Sequence, residues 1–175
     1  VSQGLAAQLG IESGRRSFLG AAIRWFANTE PGNWLSSRIL RHLDRALLRA
    51  SFGRYTISTH LAGVPTLFLT TTGARSGRPR TVQLIAVPAG DDLAVIGSDF
   101  GGRKHPGWVH NLDADPRATA SYRDRSVEVT AQELTGPEAD AVWARGRTLN
   151  PGFADYPRRA AGRRIRVFRL SASKN

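Results

Sequence analysis

The chain has 175 residues, of which 41% are hydrophobic, with no cysteine and a formal net charge of +11. That length suits one domain with a substantial core, and the lack of cysteine excludes a disulfide framework, a thiolate metal site and a thiol nucleophile. Every basic residue except Lys104 and Lys174 is arginine, which favours an anionic partner without choosing among nucleic acid, an acidic membrane surface and an acidic small molecule.

Residues 1–12 read as a mobile tail. The stretch Ser13-Gly14-Arg15-Arg16-Ser17-Phe18-Leu19 looks like a twin-arginine export signal, but Arg24 interrupts the apolar run that export requires. Phe18, Leu19, Ala22, Ile23 and Phe26 instead share one helical face. Trp34, Leu35, Ile39, Leu43 and Leu47 stripe a second helix over 33–50, with Arg38, Arg41, Arg45 and Arg49 off the stripe. Such a basic amphipathic helix packs on its own domain or a dimer mate, or lies on an anionic membrane. No apolar run reaches the roughly 18 residues of a membrane-spanning helix. Residues 1–50 are thus expected to be an N-terminal tail with amphipathic helices, and residues 51–175 a separate β-rich domain.

β-branched and aromatic runs over 55–60, 66–72, 80–87, 93–98, 117–122 and 126–133 predict strands, and Gly90-Asp91-Asp92 and Asp124-Arg125 predict hairpin turns. Hairpin spacing without βαβ alternation predicts an α+β, mainly β fold built on an antiparallel barrel. A short helix is expected over 105–112, ending before Pro116. Thr135 and Glu138 make a capping-box pattern that opens a helix to Thr148. Residues 149–159 read as an irregular loop, and 164–170 as the last strand.

The stretch around which the rest is organised is Gly73-Ala74-Arg75-Ser76-Gly77-Arg78-Pro79-Arg80, between two apolar strands. Glycine admits close approach of backbone amides, while arginine and serine donate to anionic oxygens, so the turn suits a phosphate or carboxylate. An ordinary solvated hairpin loop has the same composition. The turn is no nucleophile elbow, since Ala74 and Arg78 stand where glycines are required, and it lacks the lysine and helix of a P-loop. His105 and His110 are wrongly spaced to converge on a metal from one helical face, so no metal site is predicted. No carboxylate pair stands out as an acid–base couple. A site with few reactive side chains often lets a bound cofactor carry the reaction.

The turn from Thr70-Thr71-Thr72-Gly73 to Pro79-Arg80, then Gly97-Ser98, Gly101-Gly102, Lys104-His105-Pro106, Trp108, Asn111-Leu112 and Ala114-Asp115-Pro116, resembles the deazaflavin-dependent nitroreductase family. The resemblance covers about residues 60–170. It implies a split antiparallel β-barrel of the FMN-binding type, with N-terminal and short flanking helices, as the cofactor-binding domain over 51–175. It further implies coenzyme F420, a deazaflavin with a phosphate and an oligoglutamate tail, and hydride transfer to a quinone, nitro compound or activated enone.

By the same resemblance, Arg75, Ser76, Gly77, Arg78 and Pro79 hold the phosphate and acidic tail. Phe68, Leu69 and Thr70, with Leu84, Ile85, Ala86 and Val87, line the bed of the cofactor. Val95, Ile96, Gly97, Ser98 and Asp99 run beside the ring. Ser98 and Tyr156 are the catalytic candidates, with Tyr156 and Phe153 facing the substrate. Arg75 replaces a lysine of the best-known member, and Asp99 replaces a basic residue. The alternatives are an FMN-binding or non-catalytic flavin carrier and, at greater distance, a nucleic-acid binder. Against the last, no aromatics interleave with the arginines along the strands. A small-molecule electron acceptor, a homodimer and a cytoplasmic location, with contact to the inner membrane face through the N-terminal helices, complete the expectation.

Overall fold

The computed structural model describes residues 4–11 and 65–173. The two helices expected within 13–50 and the strand expected over 55–60 lie outside the described residues. Val1–Glu12 and Thr66–Asn175 belong to one compact unit.

One antiparallel sheet contains seven strands: β1 Thr66–Thr72, β2 Pro79–Ile85, β3 Val87–Ala89, β4 Asp92–Ile96, β5 Arg117–Tyr122, β6 Arg125–Leu134 and β7 Val167–Ala172. Their order across the sheet is β2-β1-β5-β6-β7-β4-β3. The two edge strands, β2 and β3, are consecutive in the chain and separated only by Ala86. A sheet whose edges are joined by one residue has to curl on itself, which yields the split antiparallel barrel expected from the sequence. The sequence read 80–87 as one strand; the fully buried Ala86 breaks it. Pro88, two residues on, cannot donate to a ladder and sits in an edge strand, where proline is tolerated.

Register divides the side chains between two faces. Leu67 pairs with Leu84, Leu69 with Val82 and Ala120, and Thr71 with Ala118, so these residues share the inner face. With Val95, Val129, Phe168 and Leu170 they build the barrel core. Phe68 and Thr70 face outward beside Gln83 and Thr81. The opposite face of β4 and β7 is also covered: Ala94, Ile96 and Val167 join Val87, Val142, Phe153 and Tyr156 in a second core.

Residues 4–11 differ from the mobile tail that the sequence suggested. Leu5–Leu9 form helix α1, closed by Gly10 in the left-handed region. Leu5, one turn from Leu9, is fully buried, and Leu9 and Ile11 are nearly so; all three enter the barrel core. The apolar spacing was in the sequence, but five residues are too short a helix to stand out without the core that receives them.

The remaining helices are α2 Gly107–Ala114, α3 Gly136–Leu149 and α4 Tyr156–Arg159, with 3-10 turns at Asp99–Gly101 and Pro151–Asp155. α2 starts two residues later than expected because Pro106 is extended. Thr135 is the N-cap of α3, yet its side chain makes no capping bond. The Glu138 carboxylate instead accepts from Arg169 on β7 at 2.7 Å. Residues 149–159 are helical turns rather than irregular: Asn150 Oδ1 accepts from the Gly152 N–H at 3.0 Å and starts the first turn. No helix among the described residues is long and apolar enough to cross a membrane.

If α1 belongs to the core, Leu9→Ala should lower unfolding free energy by about 2–5 kcal/mol. Denaturant melts check this; a mobile tail would give a change within roughly 0.5 kcal/mol.

Candidate cofactor site

The basic turn is a fixed structure. Gly73 N–H donates to the Arg78 carbonyl at 2.9 Å, and the Gly73 carbonyl accepts from Ser76 and Gly77 N–H at 3.1 and 2.7 Å. Ser76 Oγ accepts from the Arg78 N–H at 3.3 Å, which leaves the hydroxyl proton available for a ligand. Gly77 takes φ +63°, and a Cβ there would meet nothing within 4 Å, so the turn is open to solvent above it.

Asn111 on α2 anchors this turn from below. Its amide donates to Thr71 Oγ1 at 2.9 Å and its carbonyl oxygen accepts from the Ala74 N–H at 3.0 Å. Thr71 in turn points its hydroxyl at the Arg80 carbonyl, at 3.4 Å. The side chains of Arg75, Arg78 and Arg80 remain exposed, with no ion pair or hydrogen bond among the described residues.

The same helix supports the loop after β4. A Cβ on Gly97 would lie 3.0 Å from Val109 Cγ2 and 3.3 Å from the Arg166 carbonyl, so glycine is what lets this backbone press against α2. β3 pairs with β4 only as far as Ala94. Among the described residues Val95 and Ile96 have no strand partner on that side, although both are buried. Asp99 has φ +47°, a left-handed conformation that aspartate adopts more readily than most residues. Beneath the loop, Arg163 donates to the carbonyls of Ser98, Gly102 and Gly97 at 2.8, 2.9 and 3.1 Å.

The residues singled out from the sequence therefore fall into separate environments. Arg75, Ser76, Gly77, Arg78 and Pro79 are exposed on the turn. Phe68 and Thr70 lie on the outer face, whereas Leu69 and Val95 are sealed in the barrel and Leu84 packs against its core. Ala86 is fully buried in the same core. Val87, Ile96, Phe153 and Tyr156 lie in the second core, with Ile85 packed against it. Gly97, Ser98 and Asp99 occupy the loop. α4 comes close to that loop: a Cβ on Gly101 would sit 3.1 Å from the Tyr156 carbonyl. Ser98, Asp99 and the start of α4 are thereby gathered at one end of β4, and α2 joins that end to the basic turn.

Sequence reasoning missed Asn111, Arg163 and Arg166 as positioning groups. Asn111 lay within the matched motif but carried no assigned role, and the two arginines were indistinguishable from their neighbours.

Electrostatics separates these groups. Burial, followed by repulsion from Arg163, lowers the pKa of His105, whose Nδ1 lies 3.3 Å from the Arg163 guanidinium. Burial raises the Tyr156 pKa, so its hydroxyl stays protonated at neutral pH. Arg166 grips Asp113 of α2 at 2.7 and 2.8 Å and Glu133 of β6 at 2.6 Å, tying the helix to the sheet. Its hydrogen bonds hold both carboxyls below their ordinary values of 3.8 and 4.5.

The family model of the F420H2-dependent quinone reductases matches residues 41–171. The chain belongs to that family. An F420H2-dependent quinone reductase of Mycobacterium tuberculosis is 33% identical over 111 residues, covering 61% of this chain and 73% of its own. The solved structure of an F420H2-dependent reductase, FDR-A, aligns with a TM-score of 0.55 at 34% identity, over 61% of this chain and 93% of that one. A structure described as a domain-swapped dimer aligns with a TM-score of 0.57 at 30% identity, over 81% and 99%. Membership makes the chain an oxidoreductase that works with F420H2. The donor set fits that coenzyme: arginines that meet no carboxylate among the described residues, on an anchored, open turn, match a phosphate and a polycarboxylate.

Two measurements check this scaffold. Asn111→Ala leaves Thr71 Oγ1 and the Ala74 N–H without their buried partner, so it should cost about 1–3 kcal/mol and speed amide exchange over 73–78. Acids with lowered pKa values stabilise the fold above their ordinary values and stop doing so as pH falls through the lowered ones. Stability measured by melting should therefore decline below about pH 4, and Arg166→Gln should flatten that part of the profile.

Proposed function

We propose that this chain reduces a quinone-type acceptor, holding the acidic tail of F420H2 on turn 73–78 and its ring beside residues 95–99. The observation that carries the tail assignment is the set of arginines without partners among the described residues, Arg75, Arg78 and Arg80, on a turn fixed by Asn111. Each guanidinium in a charge-assisted hydrogen bond contributes roughly 1.5–3 kcal/mol, so two suffice for firm retention. When bound, the coenzyme supplies a hydride, which with one proton converts a quinone to its hydroquinone and leaves oxidised F420.

The chain's own contribution is binding, orientation and exclusion of water. Ile96 and the backbone from Gly97 to Asp99 support one side of the ring. Phe153 and Tyr156, which touch edge to face at 5.3 Å between ring centroids, wall the acceptor side. The protonated Tyr156 hydroxyl is the candidate proton source, and Ser98, 8% exposed, is a candidate hydrogen-bond donor to the acceptor. Pairing of two copies is part of the same reading, supported by the relative described as a domain-swapped dimer. Contact of the amphipathic helices expected within 13–50 with an anionic membrane would bring the enzyme to lipid-borne quinones.

Arg75→Gln with Arg78→Gln should weaken F420 binding roughly 100-fold or more while changing kcat little. Fluorescence titration checks this, with a deazaflavin lacking phosphate and glutamates as the control. The substitutions should leave binding of that truncated ring unchanged; equal loss for both ligands would remove the tail assignment.

A further inference from the structure

We infer that Arg163 is a positioning residue for hydride transfer, fixing the backbone of loop 97–102 so that the Asp99 N–H faces the coenzyme ring. The inference rests on the reading that residues 95–99 lie beside that ring.

The guanidinium of Arg163 is directed wholly at one loop and the histidine that follows it. Nη2 donates to the Ser98 carbonyl at 2.8 Å, Nε to Gly102 at 2.9 Å and Nη1 to Gly97 at 3.1 Å. The planar fork thus holds carbonyls on both sides of the Asp99–Gly101 turn, a task a point charge on a flexible stem performs poorly. No carboxylate pairs with it among the described residues, although Arg166 and Arg169 nearby both reach carboxylates.

The chain is also shaped to deliver this side chain. Arg163 follows two residues in the left-handed region, Ala161 at φ +50° and Gly162 at φ +85°. A left-handed alanine is disfavoured and persists only where its surroundings impose it. The turn is closed by the Arg163 N–H donating to the Ala160 carbonyl at 3.0 Å, and Ala160 itself is buried.

The consequence follows from the planarity of the peptide bond. In a trans peptide the C=O and the next N–H point in opposite directions. The Ser98 carbonyl, held both by Arg163 and by the Gly101 N–H at 2.9 Å, therefore turns the Asp99 N–H to the other side of the loop. Asp99 is exposed, and no acceptor meets that N–H among the described residues. An outward donor in the loop after β4 suits a carbonyl or ring nitrogen of a flat heteroaromatic ligand. Arg163 acts through the backbone and touches neither ligand, so its loss should misplace the ring rather than release the coenzyme tail.

The test compares the full chain with Arg163→Gln, Arg163→Lys and, as control, Arg117→Gln, which breaks an exposed pair with Asp115. Without any ligand, hydrogen exchange over 97–102 should be faster in Arg163→Gln than in the natural chain. With F420H2 and a soluble quinone, kcat should fall about 10- to 100-fold while the KM for F420H2 changes by less than about threefold. Arg163→Lys should recover part of kcat, and the control should match the natural chain. Unchanged exchange or unchanged kcat would overturn the inference, as would a loss of activity matched by a fall in Tm in both variants. Should Arg163→Gln fail to fold, lowered kcat in a normally melting Arg163→Lys supports the inference, and natural kcat there overturns it. Absence of turnover in the natural chain would instead count against the proposed function, and exchange would still decide the role of Arg163.

Discussion

The Asn111 carboxamide faces two ways, donating to Thr71 at the end of β1 and accepting from Ala74 in the turn, and the candidate site depends on that double contact. An arginine-rich turn tethered only by its flanking strands would sample many arrangements, and each anion bound would have to order it. With the amide in place, the turn is set before any ligand arrives. The helix carrying Asn111 also carries Val109, against which Gly97 presses, so one short helix aligns the two ends of the proposed coenzyme groove. Arg166 completes the arrangement by tying Asp113 on that helix to Glu133 on β6.

Arginine has two distinct roles in this unit. Arg117, Arg164, Arg166 and Arg169 are paired with carboxylates, and Arg163 with backbone carbonyls, so their charge or hydrogen-bonding capacity is absorbed by the fold. Arg75, Arg78 and Arg80 have no such partners among the described residues, and there the positive charge is directed outward. A net charge of +11 thus describes both scaffold and site, and only the partition between them has functional meaning. Exposed charges of this kind contribute little to stability, and in the proposed function they hold an external anion.

Much of the barrel was legible in the sequence because its strands are short, alternating and punctuated by turns. Strand β1 has the expected bounds, as does β5, and the turn at Gly90 adopts the left-handed conformation that glycine permits. The misreadings arose where long-range contacts decide local structure. The break at Ala86 follows from closure of the sheet, not from any local signal. Glu138 forsakes the capping box for Arg169, a residue distant in sequence. Helix α1 is stable through the barrel core it plugs, and its own five residues give a weak pattern. At the site, the basic turn was visible from composition, whereas Asn111 and Arg163 act through contacts that only the folded chain creates.

In the proposed complex the acidic end of the coenzyme lies on turn 73–78 and the ring beside residues 95–99. A crystal structure of the chain with F420 bound tests it most directly. The account predicts phosphate and carboxylate oxygens within hydrogen-bonding distance of Arg75 and Arg78, with the ring against residues 95–99. A tail bound elsewhere, with those guanidinium groups still facing solvent, would contradict it.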